Sequence, residues 1–505
     1  MKKQMVRLVL LMLAVVLCFG TLACAEETKD PEDPVQSDEN PEEQLPEEQP
    51  EPQIMPDVEV KDYDYTLNVM HWTNEGAHEA YNPWNEICPA EGVTGPIGDI
   101  IEDAIFDRTG WLEENYGIKL TNYYQPHVNI PTVVSNLITS GSDEQQVLVE
   151  FGFDAQRVMG KNYFLDLAVM PNVDFEKPWW VKESIEELAM GEFVEFAASD
   201  LLVLDKAATC MIFYNIPMAD DLGLDSFYSL VESGDWTIEE LAAAAEQAYM
   251  DDGNDQRDEL DTYGIICGDD PVHGLYIGAG MKFINRNEDG EYYYSYGFDE
   301  GTLDVMTTIL DEIMYQDFYW NGWLTRNEVS GDNQPSFKND ASLFSYGMAK
   351  GCNSMRDMVS AYGILPVPKY DSAQEQYYSQ VSGYHDSLIA VFNTAGGGDD
   401  TQLEAVGAAL EVLSYYSYYN IYPQFYEVVI QGRGTRDEES RDMLDLIFST
   451  RTYDLGLVYD PTGFSDNVLR YTAKGDTNLS SFIAQWETKL KTAMDDLNEL
   501  ASTYW

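Results

Sequence analysis

Residues 64–72, DYTLNVMHW, alternate apolar and polar and predict a strand that ends on an aromatic. Residues 95–117, GPIGDIIEDAIFDRTGWLEENYG, space their apolar positions as a helix does and stop at Gly117. IKLTNYY (118–124) predicts a second strand, and PTVVSNLITSGS (131–142) a helix with a glycine stop. QQVLVEFGF (145–153) is more continuously apolar, as in a strand buried on both faces. Strand, helix, strand, helix, strand is an α/β pattern with a parallel sheet. Further along, DWTIEELAAAAEQAYM (235–250) predicts a helix capped by Thr237 with Glu240 in the capping-box position. EAVGAALEVLSYYS (404–417) and FIAQWETKLKTAMDDLNELAS (482–502) predict two more amphipathic helices.

The start of the chain follows different rules. Residues 1–23 have a basic head (Lys2, Lys3, Arg7) and an apolar run from Leu8 to Phe19, which is short for a membrane span and reads as an export signal. Two cleavage readings meet at Cys24. TLAC resembles a lipobox, with Thr21 in place of the usual Leu, and would make Cys24 a lipidated N-terminus. Ala23-Cys24-Ala25 would instead serve as a plain A-x-A site. Residues 26–61 are acidic and proline-rich with almost nothing apolar, so an extended tether over 24–61 is expected. At about 3.1 Å per residue it would reach roughly 110 Å. A long spacer behind a cysteine makes sense when the cysteine is held at a membrane, which favours the anchor reading.

The folded part is then 62–505, long enough for two lobes. Of the net charge of −62, the tether holds −12 and the body −53. Such a surface repels phosphate backbones and anionic lipid, so nucleic acid is excluded and membrane contact is left to the anchor. Cys88, Cys210, Cys267 and Cys352 form no CxxC pair, leaving one or two bridges or buried thiols as alternatives. The chain lacks GxxxxGK[ST], GxGxxG and GxSxG. HEAYN (78–82) has Asn82 where a zinc-protease helix needs its second His. NRNEDGEYYYSY (285–296) has Tyr296 where a calcium loop needs Glu, and reads as a hairpin turning at Glu-Asp-Gly. No catalytic group, cofactor or metal is expected.

One ordered set of segments is more specific. ATCMIFYNIPMADDLGLDSFYSLVESGDWTIEELAAAA (208–245), GMAKGCNSMRDM with YGILPVPKYDSAQEQYYS (347–379), and SGYHDSLIAVFNTA (382–395) resemble, in order, segments of the extracellular solute-binding proteins of family 1. The likeness is greatest to lipoprotein members that serve ABC importers of sugars, and 418–462 departs from shorter members. The resemblance implies an α/β, two-lobed periplasmic-binding-protein-like fold (type II) with a hinge and an interlobe cleft. Lobe one would be 62–205 plus 341–415, and lobe two 206–340 plus 416–505. It further implies a monomeric, non-catalytic receptor at the extracellular membrane face that captures a carbohydrate and delivers it to permease subunits; the alternatives are a receptor for a peptide or other small solute, or a secreted glycan-active enzyme.

Sugars are held by aromatic faces and planar polar groups. By position, His71 and Trp72 end the first strand, and Phe153 and Asp154 end the third. The resemblance places Tyr346, Gly383, Tyr384 and His385 at the cleft. Trp180, beside Trp179, is a ligand candidate that could equally pack lobe one, and Asp270, beside Asp269, ends a lobe-two strand by pattern. For Trp320 and Trp323 a core role is favoured.

Overall fold

The computed structural model describes residues 53–73, 82–254, 256–258, 260–267, 271–298, 300–321, 335–430, 438–473, 475 and 478–503. The export signal, Cys24, most of the tether, His78, Asp269, Asp270 and Trp323 lie outside the described residues. Among the described residues no helix is long and apolar enough to cross a membrane.

Among the described residues thirteen strands follow in chain order. The first five are β1 (Tyr65–Thr73), β2 (Ile118–Pro126), β3 (Val147–Glu150), β4 (Cys210–Asn215) and β5 (Tyr263–Cys267). Next come β6 (Ile284–Arg286), β7 (Tyr292–Tyr294), β8 (Tyr319–Asn321), β9 (Ser342–Met348) and β10 (Tyr362–Leu365). The last are β11 (Ser379–Gln380), β12 (Leu388–Val391) and β13 (Arg451–Thr452). One sheet has the order β12-β3-β1-β2, and a second has the order β10-β4-β9-β5-β8. In the first, β1, β2 and β3 run parallel and β12 runs antiparallel at the edge. The parallel part follows from the helical crossovers Ile100–Tyr116 and Ile130–Ser140, each of which stops at a left-handed glycine, Gly117 and Gly141. β3 is buried along its whole length, as its apolar run predicts.

The chain returns to the first sheet later than expected. β9 and β10, within the stretch assigned to lobe one, are strands of the second sheet: β9 lies between β4 and β5, and β10 pairs with β4. All seven residues of β9 are buried, which suits a central strand. Lobe one also keeps the chain beyond 416, since Phe425 packs edge-on against Trp84 at 5.9 Å. Helix Glu438–Ser449 then lies against β10, with Ser440 bonded to Tyr228 at 2.9 Å.

Three segments pass between the lobes side by side. Thr209 bridges Val381, Ser382 N–H donates to the Ala208 carbonyl (3.0 Å), and β11 pairs in parallel with β13. The tether ends earlier than its composition suggests. Val58 is buried, Ile54 N–H donates to Tyr419 (2.9 Å), and Lys177 pairs with Asp57 (3.0 Å), so residues 54–61 lie along the first lobe. The four body cysteines are buried free thiols. β6 and β7 form the expected hairpin, with Gly290 left-handed in its turn.

Candidate functional site

The carboxyl ends of β1 and β3 meet the returning segment 382–387 and the crossing at 204–209. In open α/β sheets this edge is where ligands sit. Phe153 and Tyr384 stack there with ring centroids 4.5 Å apart, and Phe153 N–H donates to the Gly383 carbonyl (2.7 Å). A Cβ on Gly383 would meet the Leu457 carbonyl at 3.4 Å, so it is the protein's own backbone that comes close at this glycine.

Carboxyl groups crowd beneath this aromatic pair. Asp386 accepts from Gly152 N–H (2.7 Å); burial raises its pKa to about 8. Glu150, also fully buried, is pushed well up by desolvation and then by the neighbouring Asp154. Its Oε1 accepts from Phe151 N–H (3.1 Å), while Oε2 has no partner among the described residues. Asp154 is paired with Arg157 (2.9 Å) and bonded to His127.

Two buried hubs stand behind the floor. Glu86 accepts from Leu204 N–H (2.6 Å), Ser387 (3.0 Å) and Asn82 (3.2 Å), so one carboxylate joins the first crossing to the second. Asp205 accepts from Arg451 (2.7 Å), Lys206 (2.8 Å) and the Tyr453 hydroxyl, joining the first crossing to the third. Burial alone would raise the Asp205 pKa, but Arg451 and Lys206 outweigh it and hold it at about 2.

No protein-family model matches the chain, and no curated protein matches it in sequence. Solved structures do match in shape. An ABC substrate-binding protein from Listeria monocytogenes, in complex with cycloalternan, aligns over 86% of this chain and 98% of its own, at 11% identity and a TM-score of 0.50. An open sugar transporter structure from Rhizobium etli aligns over 86% and 99%, at 13% identity and a TM-score of 0.51. RafE from Streptococcus pneumoniae, in its apo form, aligns over 88% and 99%, at 14% identity and a TM-score of 0.50.

The chain has the fold of the ABC substrate-binding proteins.

In that fold the sequence candidates separate into two groups. Phe153, Asp154, Gly383, Tyr384 and His385 come together at the seam between the lobes. His385 is buried and accepts from Lys350 (2.9 Å), whose backbone leads the short helix Gly351–Ser354 of lobe two. The others do not join that cluster. His71 and Trp72 are buried in the first lobe. His71 Nε2 is 3.4 Å from Glu86, and the Trp72 indole donates to Ser387 (3.3 Å). Both therefore support the floor from below.

Tyr346 is fully buried on β9, its hydroxyl 3.4 Å from Gln380 Oε1. A Cβ on Gly274 would sit 1.8 Å from that hydroxyl, so a glycine is required where the helix Pro271–Gly278 passes over the ring. The indoles of Trp179 and Trp180 donate to the two oxygens of Glu411 at 3.1 and 2.7 Å. Trp180 also lines a cavity of about 370 Å³ with Tyr418, Tyr422, Lys206 and Arg451, whose lining includes none of the seam residues. Trp320 is half-buried and stacks on Tyr263 at 4.9 Å.

Nothing in the local sequence singles out Glu86, Asp205, Asp386 or Arg451. One signal was available: a lone acid inside the apolar run VLVEF marks Glu150. Among the described residues one carboxylate trio, Asp251, Asp252 and Asp261, could reach a single ion. Asp261 is already bonded to the backbone N–H groups of Asp252 (3.0 Å) and Asp258 (3.3 Å).

Proposed function

We propose that the protein is a non-catalytic receptor that captures a carbohydrate between its lobes and passes it to the permease of an ABC importer. The observation that carries this reading is the Phe153–Tyr384 stack at the seam of two lobes joined by three adjacent crossings. Such a stack offers an apolar face to sugar C–H groups, with the partly exposed Arg157, held by the buried Asp154, beside it for hydroxyls. The Listeria, Rhizobium and Streptococcus proteins of this fold, described with cycloalternan, as a sugar transporter and as RafE, lend it weight. Cys24 as lipid anchor, with the acidic tether behind it, would keep a monomeric receptor at the extracellular face of the membrane while it samples solute.

A thermal-shift screen of neutral oligosaccharides, uronic acids and short peptides tests the reading. A ligand at a hundred times its Kd stabilises the folded state by about 2.7 kcal/mol, which is a clear rise in melting temperature. A shift with an oligosaccharide, and recovery of that sugar unhydrolysed, is the expected result. A shift with peptides alone would replace carbohydrate by peptide as the ligand class. Cleavage of the sugar would replace the receptor by an enzyme.

A further inference from the structure

The β6–β7 hairpin, whose alternating tyrosines no part of the proposed site uses, reaches across the seam. It belongs to lobe two: Tyr292 exchanges two hydrogen bonds with Asn498 of the terminal helix Glu487–Ala501 (2.7 and 2.9 Å), and Phe283 N–H donates to Asp454 (2.6 Å). Opposite it lies the segment 182–191 of lobe one. That segment is tied to its own lobe by Ser184, which accepts from Ala198 N–H (2.9 Å), in a stretch where Ala197 bridges Ile389 of β12.

Five hydrogen bonds join the two; one runs from Arg286 to the Glu186 carbonyl (3.4 Å). Lys282 Nζ donates to Glu187 (2.6 Å), and Arg286 donates to the Ala189 carbonyl (3.0 Å). The Tyr292 hydroxyl donates to that same carbonyl (2.9 Å) and accepts from Gly191 N–H (3.0 Å). The Arg286 guanidinium also lies over the Tyr292 ring, 4.8 Å from its centroid, which holds both side chains in reach of one carbonyl. A cavity of about 310 Å³ lined by Glu186, Glu187, Lys282, Asn285, Arg286 and Tyr292 lies along the same contacts.

We propose that this hairpin is a clasp that holds the lobes closed and sets how often the ligand-free protein opens. Each contact pairs one group from either lobe, so rotation about the three crossings must break all five together. None of the five involves the Phe153–Tyr384 stack. The clasp therefore changes the closed fraction without touching ligand, and any ligand of the closed form loses apparent affinity in proportion as that fraction falls. The inference rests on the two-lobed fold and not on the nature of the ligand, so it can fail while the carbohydrate reading stands, and the reverse.

The test uses ligand-free full-length chain, spin-labelled at Val169→Cys in lobe one and Val359→Cys in lobe two. Both positions are exposed, at 77% and 82%, and single-label controls remove signal from other cysteines. Glu187→Lys sets an ammonium against Lys282 and Arg286, and is expected to shift the interlobe distance distribution to longer values. The swapped double variant Glu187→Lys with Lys282→Glu is expected to restore it. Tyr292→Phe, which removes one oxygen, is expected to broaden the distribution without lowering the helix signal in circular dichroism. If Glu187→Lys and Tyr292→Phe leave the distances unchanged in folded protein, or the swap fails to restore them, the hairpin is not a clasp.

Discussion

Replacing Asp205 by Asn tests whether the hinge is held by buried charge. Asp205 is fully buried and is the only carboxylate that Arg451 pairs with among the described residues; the other Arg451 bonds go to carbonyls of Phe448 (3.3 Å) and Asp205 (3.4 Å). Lys206 keeps a second carboxylate, Asp200. The variant thus strands one guanidinium and leaves the lysine paired. Breaking a buried pair in this way costs about 3–5 kcal/mol, against about 0–1 kcal/mol for an exposed pair. Proton linkage gives an independent estimate. A pKa of about 2 in the folded protein, against about 3.9 unfolded, corresponds to roughly 2.5 kcal/mol of stability.

The sign follows from the depressed pKa. The contribution is fully present above the unfolded value, near pH 4, and is lost as pH falls through the folded value near 2. Urea unfolding followed by tryptophan fluorescence measures the gap between native protein and variant from their midpoints at unchanged slope. The expected gap is about 3 kcal/mol at pH 7, narrowing by about 1 kcal/mol at pH 3. A gap below about 1 kcal/mol at pH 7, or one that does not narrow in acid, would refute the account, because an exposed or redundant pair would behave that way.

Asp386 titrates in the opposite sense. Its raised pKa of about 8 makes it a source of stability that is full below pH 4 and lost as pH rises towards 8, so Asp386→Asn should lose less melting temperature than the native chain between pH 5 and pH 8.5. Trp180→Phe removes the 2.7 Å bond to Glu411 and should cost about 1–2 kcal/mol in urea while leaving ligand affinity within twofold by calorimetry. A larger change in affinity would return Trp180 to the ligand. Phe153→Ala and Tyr384→Ala, each removing one ring of the stack, should weaken the sugar found by thermal shift by about tenfold or more, since an aromatic face contributes about 1–2 kcal/mol; unchanged affinity in both would move the site elsewhere.

Local signals in the sequence placed most elements well. The strands Tyr65–Thr73, Ile118–Pro126 and Val147–Glu150 and the helices between them were legible because each carries its own period and its own stop. Thr237 accepts from Glu240 N–H (3.4 Å), as the capping pattern requires. What failed depends on partners far away in the chain. That β9 sits between β4 and β5 is a matter of pairing, and its own apolar run fits either lobe. The stretch 482–502 carries one helical period, yet the chain forms two helices, Leu479–Ala484 and Glu487–Ala501, that meet at Gln485–Trp486. Residues 54–61 look like tether by composition and are held by Tyr419, Lys177 and a buried Val58.

The site shows the same division. Phe153 and Tyr384, the pair proposed to face the ligand, can be named from the sequence because one ends a readable strand and the other lies where the family resemblance would put the cleft. The buried charges were not, because a chain with 90 acidic residues gives no local reason to choose Glu86, Asp205 or Asp386. Their placement has a physical logic all the same. An apolar hinge can slide through many packings of similar energy, whereas a buried carboxylate is costly in every arrangement but those that satisfy it. Glu86 joins the first crossing to the second and Asp205 joins the first to the third, each through donors from separate segments. Two such hubs leave the crossings few ways to rotate. The hinge is then specific in direction, and the energy that decides between open and closed falls to weaker contacts at the seam, where Glu187 and Lys282 remain about a third exposed. An exposed pair of that kind contributes less than about 1 kcal/mol, small enough for a bound solute to outweigh.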